Sequence, residues 1–145
     1  MGESTGHIAL VDALRQWART GFAPNHSGLI IFADSPSFDV EQKPRPIGGF
    51  IPDLHARTFP ASFTLLGEAK WFRDVDTKHT EIQLKTFLRF LEGEQDPHFV
   101  IATPPPLIGT ALRMVRTAFT EVGCKRTQLY YLDPFGSVVR FYPAS

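Results

Sequence analysis

The chain has 145 residues, 43% hydrophobic and 21% charged, a composition that predicts one globular domain over residues 1–145 rather than a disordered or fibrous chain. It has one cysteine, no apolar run near the ~18 residues of a membrane span and no signal-peptide pattern at its start, so we expect a cytoplasmic protein without intrachain disulfides. Its 15 basic and 15 acidic side chains cancel, which argues mildly against a nonspecific nucleic-acid binder.

The first half of the chain predicts one helix and three strands. Apolar residues at helical spacing indicate the helix, which Ser4 or Thr5 can cap and which Gly21 and Pro24 end. Residues 34–47 contain three prolines and predict a loop, and a turn at residues 59–61 predicts a hairpin between the second and third strands. The predicted strands cover residues 29–33, 49–57 and 62–72.

The second half predicts helices that alternate with strands. Thr77 or Thr80 can cap a second helix that runs to about Glu92, and a third helix, residues 108–122, is closed by Gly123. Strands are predicted at residues 99–103 and 128–132, with a possible return strand at 138–142. The order α-β-β-β-α-β-α-β predicts an α/β fold, in which a mixed sheet is flanked by helices.

Two short acidic motifs fall on the predicted second and third strands. They are Pro52-Asp53 and Glu68-Ala69-Lys70, with 14 residues between the two acids. Side chains two apart on a strand share a face, so Glu68 and Lys70 point the same way, and a hairpin lets Asp53 lie beside Glu68. Because neighbouring carboxylates repel each other, the pair favours a bound cation.

The donor atoms at these motifs suit Mg²⁺, for which Mn²⁺ can substitute. Mg²⁺ prefers oxygen ligands and commonly takes one or two carboxylates together with water and substrate phosphate. Asp53 and Glu68 are therefore the predicted metal ligands, and the backbone carbonyl of Ala69 is a plausible further one. Such a metal can activate water for attack on a phosphodiester, and Lys70 can hold the nucleophile and a nonbridging oxygen.

Each motif also has an ordinary structural explanation. Pro-Asp is a common pair, and Glu-x-Lys is a frequent pattern of exposed ion pairs. The context favours the metal site, because apolar Leu65 and Leu66 lead directly into Glu68 and place the charges at the end of a buried strand. Charges in such a position need a partner or a metal.

Ile51-Pro52-Asp53 and Gly67-Glu68-Ala69-Lys70, in this order of elements, resemble the PD-(D/E)XK nuclease superfamily with its restriction-endonuclease-like fold. The resemblance covers about residues 4–103, and within the superfamily it extends to RecB-type or VRR-NUC-like nucleases. It implies a Mg²⁺- or Mn²⁺-dependent nuclease that hydrolyses phosphodiester bonds, with DNA as the expected substrate. In that family pattern Asp53 and Glu68 bind the metal, and Lys70 assists the attacking water.

Gln83 and His7 are further candidates for the same site. Residues 83–87 resemble the Gln-x-x-x-Tyr element of RecB-type nucleases with Phe in place of Tyr, but Thr80 and Gln83 also fit a helix capping box. His7 resembles the metal-ligating helix histidine of some RecB-type nucleases, although a histidine in a first helical turn is more often exposed. Asp12 either faces the metal, as an acid does in many members of the superfamily, or is solvated.

Several other residues are candidates for substrate contact. His55 is predicted to share a face with Asp53, where it either touches substrate or a second metal or is a polar residue at the rim of the cleft. Trp71 and Phe72 either stack on bases or belong to the core. The cations that either contact phosphates or are simply solvated are Lys43, Arg45, Arg57 and Arg73.

Two other functions compete with an autonomous nuclease. One is a noncatalytic nucleic-acid-binding or assembly module on the same fold, which the neutral charge and small size favour. The other is a nuclease subunit that is active only within a larger complex. The expected partner is nucleic acid and not a membrane, and a homodimer or a larger nucleoprotein complex stays open.

Overall fold

The computed structural model describes residues 5–34, 42–60 and 62–143. The α-helices in these ranges are α1 (Thr5–Gly21), α2 (Lys78–Glu92) and α3 (Ile108–Val122). The strands are β1 (Ile30–Ala33), β2 (Leu54–Arg57), β3 (Thr64–Ala69), β4 (Pro97–Ala102), β5 (Gln128–Leu132) and β6 (Val138–Tyr142). Short 3₁₀ helices follow α1 and precede α3, at Ala23–Asn25 and Pro105–Leu107. No helix in the described ranges is long and apolar enough to cross a membrane.

The strands form one mixed sheet whose spatial order follows the chain from β1 to β6. β1, β2 and β3 are antiparallel neighbours, β3, β4 and β5 are parallel, and β6 returns antiparallel to β5. The parallel pairs arise because α2 connects β3 to β4 and α3 connects β4 to β5. The predicted α-β-β-β-α-β-α-β order of a mixed sheet flanked by helices is confirmed, and the sixth strand is present.

Helices cover both faces of the sheet and bury a separate apolar cluster on each. Alternation along β3 directs Leu65 towards α1 and Leu66 towards α2 and α3. β3 and β4 are buried along their whole lengths, as expected for central strands with helices on both sides. A charged side chain near the end of β3 therefore lies in an interior position.

Helix ends follow the predicted capping residues. Thr77 caps α2, because its side chain accepts a hydrogen bond from the Thr80 amide at 3.1 Å, and Gly123 ends α3 with φ of +80°. α1 begins at Thr5; Ser4, the alternative cap, lies outside the described residues, as do residues 35–41 of the predicted loop and Ala61 of the predicted turn.

The predicted start of the second strand at residue 49 is wrong, since β2 begins at Leu54. Gly48 and Gly49 have φ of +59° and +87° and form a tight turn, in which Ile47 and Phe50 exchange backbone hydrogen bonds of 2.7 and 3.1 Å. Positive φ at both central residues is the geometry of a type I′ turn, which glycine adopts without strain. The alternating pattern therefore reflected a turn followed by a short strand.

The bounds of two other strands also differ from the predictions. β3 ends at Ala69 rather than at Phe72, although the Lys70 amide still donates to the Ala102 carbonyl at 2.9 Å. β4 begins at Pro97, two residues before the predicted start, because proline is tolerated at the first position of a strand. Buried His98 then lies inside the strand with its ring hydrogen-bonded at 2.8 Å to the Tyr130 hydroxyl.

Replacing Gly48 by alanine should destabilise the protein. An alanine at positive φ is strained by about 1–2 kcal/mol, and the new Cβ would overlap Thr86 Cγ2 on α2. Chemical denaturation should show the lower free energy of unfolding, and Gly109→Ala is the matched control because open space surrounds a Cβ at that helical position. Equal stability of Gly48→Ala and Gly109→Ala would contradict this account of the turn.

Glu92 joins the end of α2 to the segment before β5. Its carboxylate accepts hydrogen bonds from the amides of Lys125, Arg126 and Thr127 and from the Thr127 hydroxyl at 2.6 Å. Burial alone would raise the pKa of Glu92, but the hydrogen bonds from Thr127 and the neighbouring amides outweigh it and lower that pKa below its usual 4.5.

We expect Glu92→Ala to lower the free energy of unfolding by about 2 kcal/mol, because several hydrogen bonds to one carboxylate are lost. Since the pKa of Glu92 is lowered on folding, its contribution is complete above pH 4.5 and is lost as the pH falls through the folded value. Denaturation curves over an acidic pH series, with exposed Asp12→Ala as control, measure both effects. A Glu92→Ala curve that coincides with Asp12→Ala would refute this role.

Candidate active site

Asp53, Glu68 and Lys70 meet at the carboxyl end of β3. Glu68 lies near the end of that strand, Lys70 directly follows it, and Asp53 directly precedes β2. Leu54 pairs with Gly67 in the antiparallel register, which places Asp53 opposite Glu68. All three side chains are buried, with exposed fractions of 6% for Asp53, 3% for Glu68 and 7% for Lys70.

Backbone amides hold the two carboxylates across the strand pair. The Ala69 amide donates to Asp53 Oδ2 at 2.8 Å, and the Asp53 amide donates to Glu68 Oε1 at 3.2 Å. These reciprocal bonds continue the pairing of β2 and β3 beyond the last backbone pair. The absent side chain of Gly67 allows this approach, since a Cβ there would lie 3.0 Å from both Leu54 Cβ and Val100 Cγ1.

Lys70 connects the acidic pair to α2. Its Nζ lies 3.1 Å from Glu68 Oε2 and donates to Gln83 Oε1 at 2.6 Å. The capping-box interpretation of Gln83 is wrong, because Thr77 is the cap and the Thr80 hydroxyl donates to the Asp74 carbonyl instead. Gln83 is buried and fixes the position of the lysine ammonium.

His7 reaches the Asp53 carboxylate from α1, on the opposite side of the sheet from α2. Its Nε2 lies 3.3 Å from Asp53 Oδ2, and its side chain is 17% exposed. Gly6 allows this part of α1 to pack closely on Trp71, because a Cβ at residue 6 would overlap the indole ring. The alternative in which Asp12 faces the site is wrong, since Asp12 is exposed on α1.

Among the described residues, the two buried carboxylates have one ammonium beside them, that of Lys70, and one imidazole, that of His7. Burial is the main reason that the pKa of Glu68 lies well above its usual 4.5, and the adjacent Asp53 charge raises it further. Lys70 acts in the opposite direction and only partly compensates. The pair is therefore balanced only if Glu68 holds a proton beside Asp53, if His7 is protonated, or if a bound cation lies close to both carboxylates.

The available donors fit a hard divalent cation. Among the described residues, no three His, Cys, Asp or Glu side chains form a metal-binding group by themselves. The site instead offers the carboxylates of Asp53 and Glu68 and, because the N–H and C=O of one strand residue point to the same side, the carbonyl of Ala69. Oxygen donors with places left for water match the coordination that Mg²⁺ prefers.

Asp53, Glu68 and Lys70 border a concave surface that encloses a volume of about 440 Å³. Its other walls include Ile51 and two residues that the sequence analysis did not single out, Asp74 and His79. His79 precedes Gln83 by four residues on α2, so the two side chains share a helix face. The four-residue spacing from Gln83 could have predicted that His79 lies at the site. No such spacing could have predicted Asp74, because it precedes the helix.

The other candidate residues lie outside this concave surface. His55, Lys43, Arg45 and Arg57 line a separate cavity, where burial, followed by the charge of Arg57, lowers the pKa of His55 to about 4. Trp71 is half-buried and packs against the apolar cluster on the α1 side of the sheet, as the core interpretation predicts, while its stacking on bases stays a prediction. Phe72 is 52% exposed and Arg73 is exposed beside it.

Comparison with known proteins gives little beyond this geometry. No protein-family model matches the chain, and no curated protein matches its sequence. Among solved structures the chain is similar to Pyrococcus furiosus SfsA in complex with Ca²⁺, at 13% identity and a TM-score of 0.47. The match covers 95% of this chain, which spans 66% of the length of that protein.

The charge imbalance at Glu68 leads to a stability prediction for the metal-free protein. Because the folded pKa of Glu68 is raised, its ionisation should lower the free energy of unfolding as the pH rises from 4.5 through the folded pKa. Glu68→Gln should abolish this decline, since the amide keeps the shape and carries no charge. Denaturation over a pH series in EDTA measures it.

Glu94→Gln is the matched control, because Glu94 is only half-buried and bonds to the Thr64 hydroxyl away from the site. It should retain the decline that the unaltered protein shows as the pH rises above 4.5. Mn²⁺ added in the pH range of that decline, with EDTA left out, should restore stability to the unaltered protein and not to Glu68→Gln. If the free energy of unfolding of the unaltered protein and of Glu68→Gln depended on pH in the same way, ionisation of Glu68 would not be the cause of the decline.

Proposed function

We propose that this protein is a metal-dependent nuclease of the PD-(D/E)XK type that hydrolyses phosphodiester bonds, with DNA as the expected substrate and Mg²⁺ or Mn²⁺ as the cofactor. One observation carries the proposal: buried Asp53 and Glu68 face each other with a single ammonium, that of Lys70, in a concave surface. Unless His7 is protonated, this pair lacks one positive charge, and a bound cation would supply it, because an uncompensated buried charge is strongly destabilising.

Asp53 and Glu68 would hold the metal ion, with the Ala69 carbonyl and His7 as the neighbouring donors. The ion would supply a Lewis acid that acidifies water and neutralises charge on the phosphate. The amide bonds from Ala69 and Asp53 fix both carboxylates before any ligand binds, so these ligands need no reorganisation.

Lys70 would stabilise the negative charge that develops during attack on phosphorus. Glu68 and Gln83 hold the Lys70 ammonium in a fixed position. It can therefore bind the attacking water or a nonbridging oxygen without losing further side-chain conformational entropy. Gln83 is a positioning residue in this scheme, because it acts through the lysine. Neither residue needs to change its protonation state.

The experiment that tests the function compares cleavage of plasmid and oligonucleotide substrates in Mg²⁺, in Mn²⁺ and in EDTA. Asp53→Asn and Lys70→Met should each reduce the cleavage rate by at least about 10²-fold, since each removes a group that stabilises the transition state. Gln83→Ala should reduce it less, because Lys70 keeps its charge.

Asp12→Asn is the control, as an exposed acid outside the site whose change also removes one negative charge. It should cleave at the unaltered rate. Calorimetry with Mn²⁺ separates the roles, because Asp53→Asn should lose metal binding while Lys70→Met retains it. Equal cleavage by Asp53→Asn and Asp12→Asn, or undiminished cleavage in EDTA, would refute the proposed function.

A further inference from the structure

A second and larger cavity lies on the α2 side of the sheet. Its volume is about 820 Å³, which falls within the range typical of sites for small organic molecules. The sheet contributes one wall, the segment before the Gly48 turn contributes another, and the end of α2 closes it. The lining residues that matter here are Phe32, Lys43, Arg45, His55, Arg57 and Phe90.

The described lining of the cavity carries charge of one sign, although the chain as a whole is neutral. Lys43, Arg45 and Arg57 line it, and its described lining includes no carboxylate. Within the described ranges, none of these three side chains lies within ion-pair distance of an acid, whereas Lys85 and Arg113 on α2 and α3 are paired. Three cations without an acidic partner in the described part of the chain, around one concavity, are an electrostatic match for phosphate.

Aromatic rings line the same cavity as these cations. The centroid of the His55 ring lies 6.5 Å from that of Phe32 and 6.2 Å from that of Phe90. Both phenylalanines are only half-buried, so their remaining surface is available to a ligand. A surface that combines cations with accessible aromatic rings is suited to bind an unpaired base and its phosphate, because the base stacks on a ring and the phosphate contacts the cations.

The cavity lies beside the candidate active site along the same strand. His55 follows Asp53 by two residues in an extended segment, which corresponds to about 7 Å. The connecting segment also spans both places, because Ile47 lines the cavity and Ile51 lines the candidate active site. The two concavities are therefore neighbours along β2 and along the segment from Ile47 to Ile51.

We infer that this cavity binds one unpaired nucleotide adjacent to the phosphodiester held at Asp53 and Glu68, with Lys43, Arg45 and Arg57 on its phosphate and Phe32 and Phe90 against its base. The inference rests on the proposed function, and it restricts the substrate to nucleic acid that is single-stranded at this point. A base enclosed among side chains cannot at the same time be paired and stacked in a duplex.

The test measures binding without catalysis. Fluorescence anisotropy in EDTA follows the binding of labelled single-stranded DNA, single-stranded RNA and duplex DNA to the full chain. Single strands should bind more tightly than the duplex. Arg45→Glu and Arg57→Glu should each weaken single-strand binding about tenfold and reduce the slope of log affinity against log salt by about 0.7.

Arg116→Glu is the matched control, because it makes the same change of charge on the exposed side of α3, where Arg116 lies over the Phe141 ring. It should bind like the unaltered protein, and circular dichroism verifies that each variant is folded. Phe90→Leu should weaken single-strand binding and leave the salt dependence unchanged, since it removes stacking and no charge. Equal binding by Arg45→Glu, Arg57→Glu and Arg116→Glu, or tighter binding of duplex than of single strands, would overturn the inference.

Cleavage assays with the same variants separate this inference from the proposed function. Selective binding of single strands without any metal-dependent cleavage would refute the nuclease and leave the cavity as a nucleotide site. Metal-dependent cleavage that Asp53→Asn abolishes and that Arg45→Glu and Arg57→Glu leave unchanged on every substrate would refute the cavity and leave the nuclease. Comparison of the DNA and RNA strands identifies which of the two the cavity prefers.

Discussion

Burial of two carboxylates with one ammonium is the constraint on which the site depends. Asp53 and Glu68 are almost fully covered, and Lys70 supplies the only full positive charge in direct contact with Glu68 among the described residues. Such an arrangement is unfavourable unless each oxygen is well solvated by the protein. The reciprocal amide bonds across β2 and β3, whose close approach the small Gly67 allows, stabilise part of this charge, and the raised pKa of Glu68 reflects the part that stays uncompensated.

The two helical layers meet at this one place from opposite sides of the sheet. α1 brings His7 to Asp53, and α2 brings Gln83 to Lys70. The apolar clusters that hold these helices on the sheet therefore also set the geometry of the polar groups. Rigid placement by packed elements is what a site needs if its groups are to act without rearrangement.

Elements with strong periodicity were predictable from sequence, because local rules decide them. Both ends of α3 were predicted correctly, because its apolar stripe and Gly123 indicate the same bounds. The start of β2 was not, because alternation of apolar residues does not distinguish a strand from a turn that presents the same side chains. The glycine pair distinguishes the two, because Gly48 and Gly49 both have the positive φ of a turn.

Some residues of the candidate site were likewise predictable from the sequence and others were not. Strand alternation and hairpin pairing were enough to bring Asp53, Glu68 and Lys70 together, because neighbours in a short hairpin are fixed by register. The partner of Gln83 was not predictable, since a capping box and a contact with the sheet use the same residue types. The separation of His55 from Asp53 into different cavities depends on the fold of residues 42–50, which sequence spacing does not encode.

The Gly48-Gly49 turn stands between the two cavities and is made of backbone alone. Its ends are hydrogen-bonded to each other, and Gly48 packs on Thr86, three residues beyond Gln83 on α2. The interval between the cavities is thus set by main-chain geometry, independently of which side chains line either one. Divergent versions of such a chain can exchange the walls of the larger cavity, and with them ligand preference, while the acidic centre stays intact.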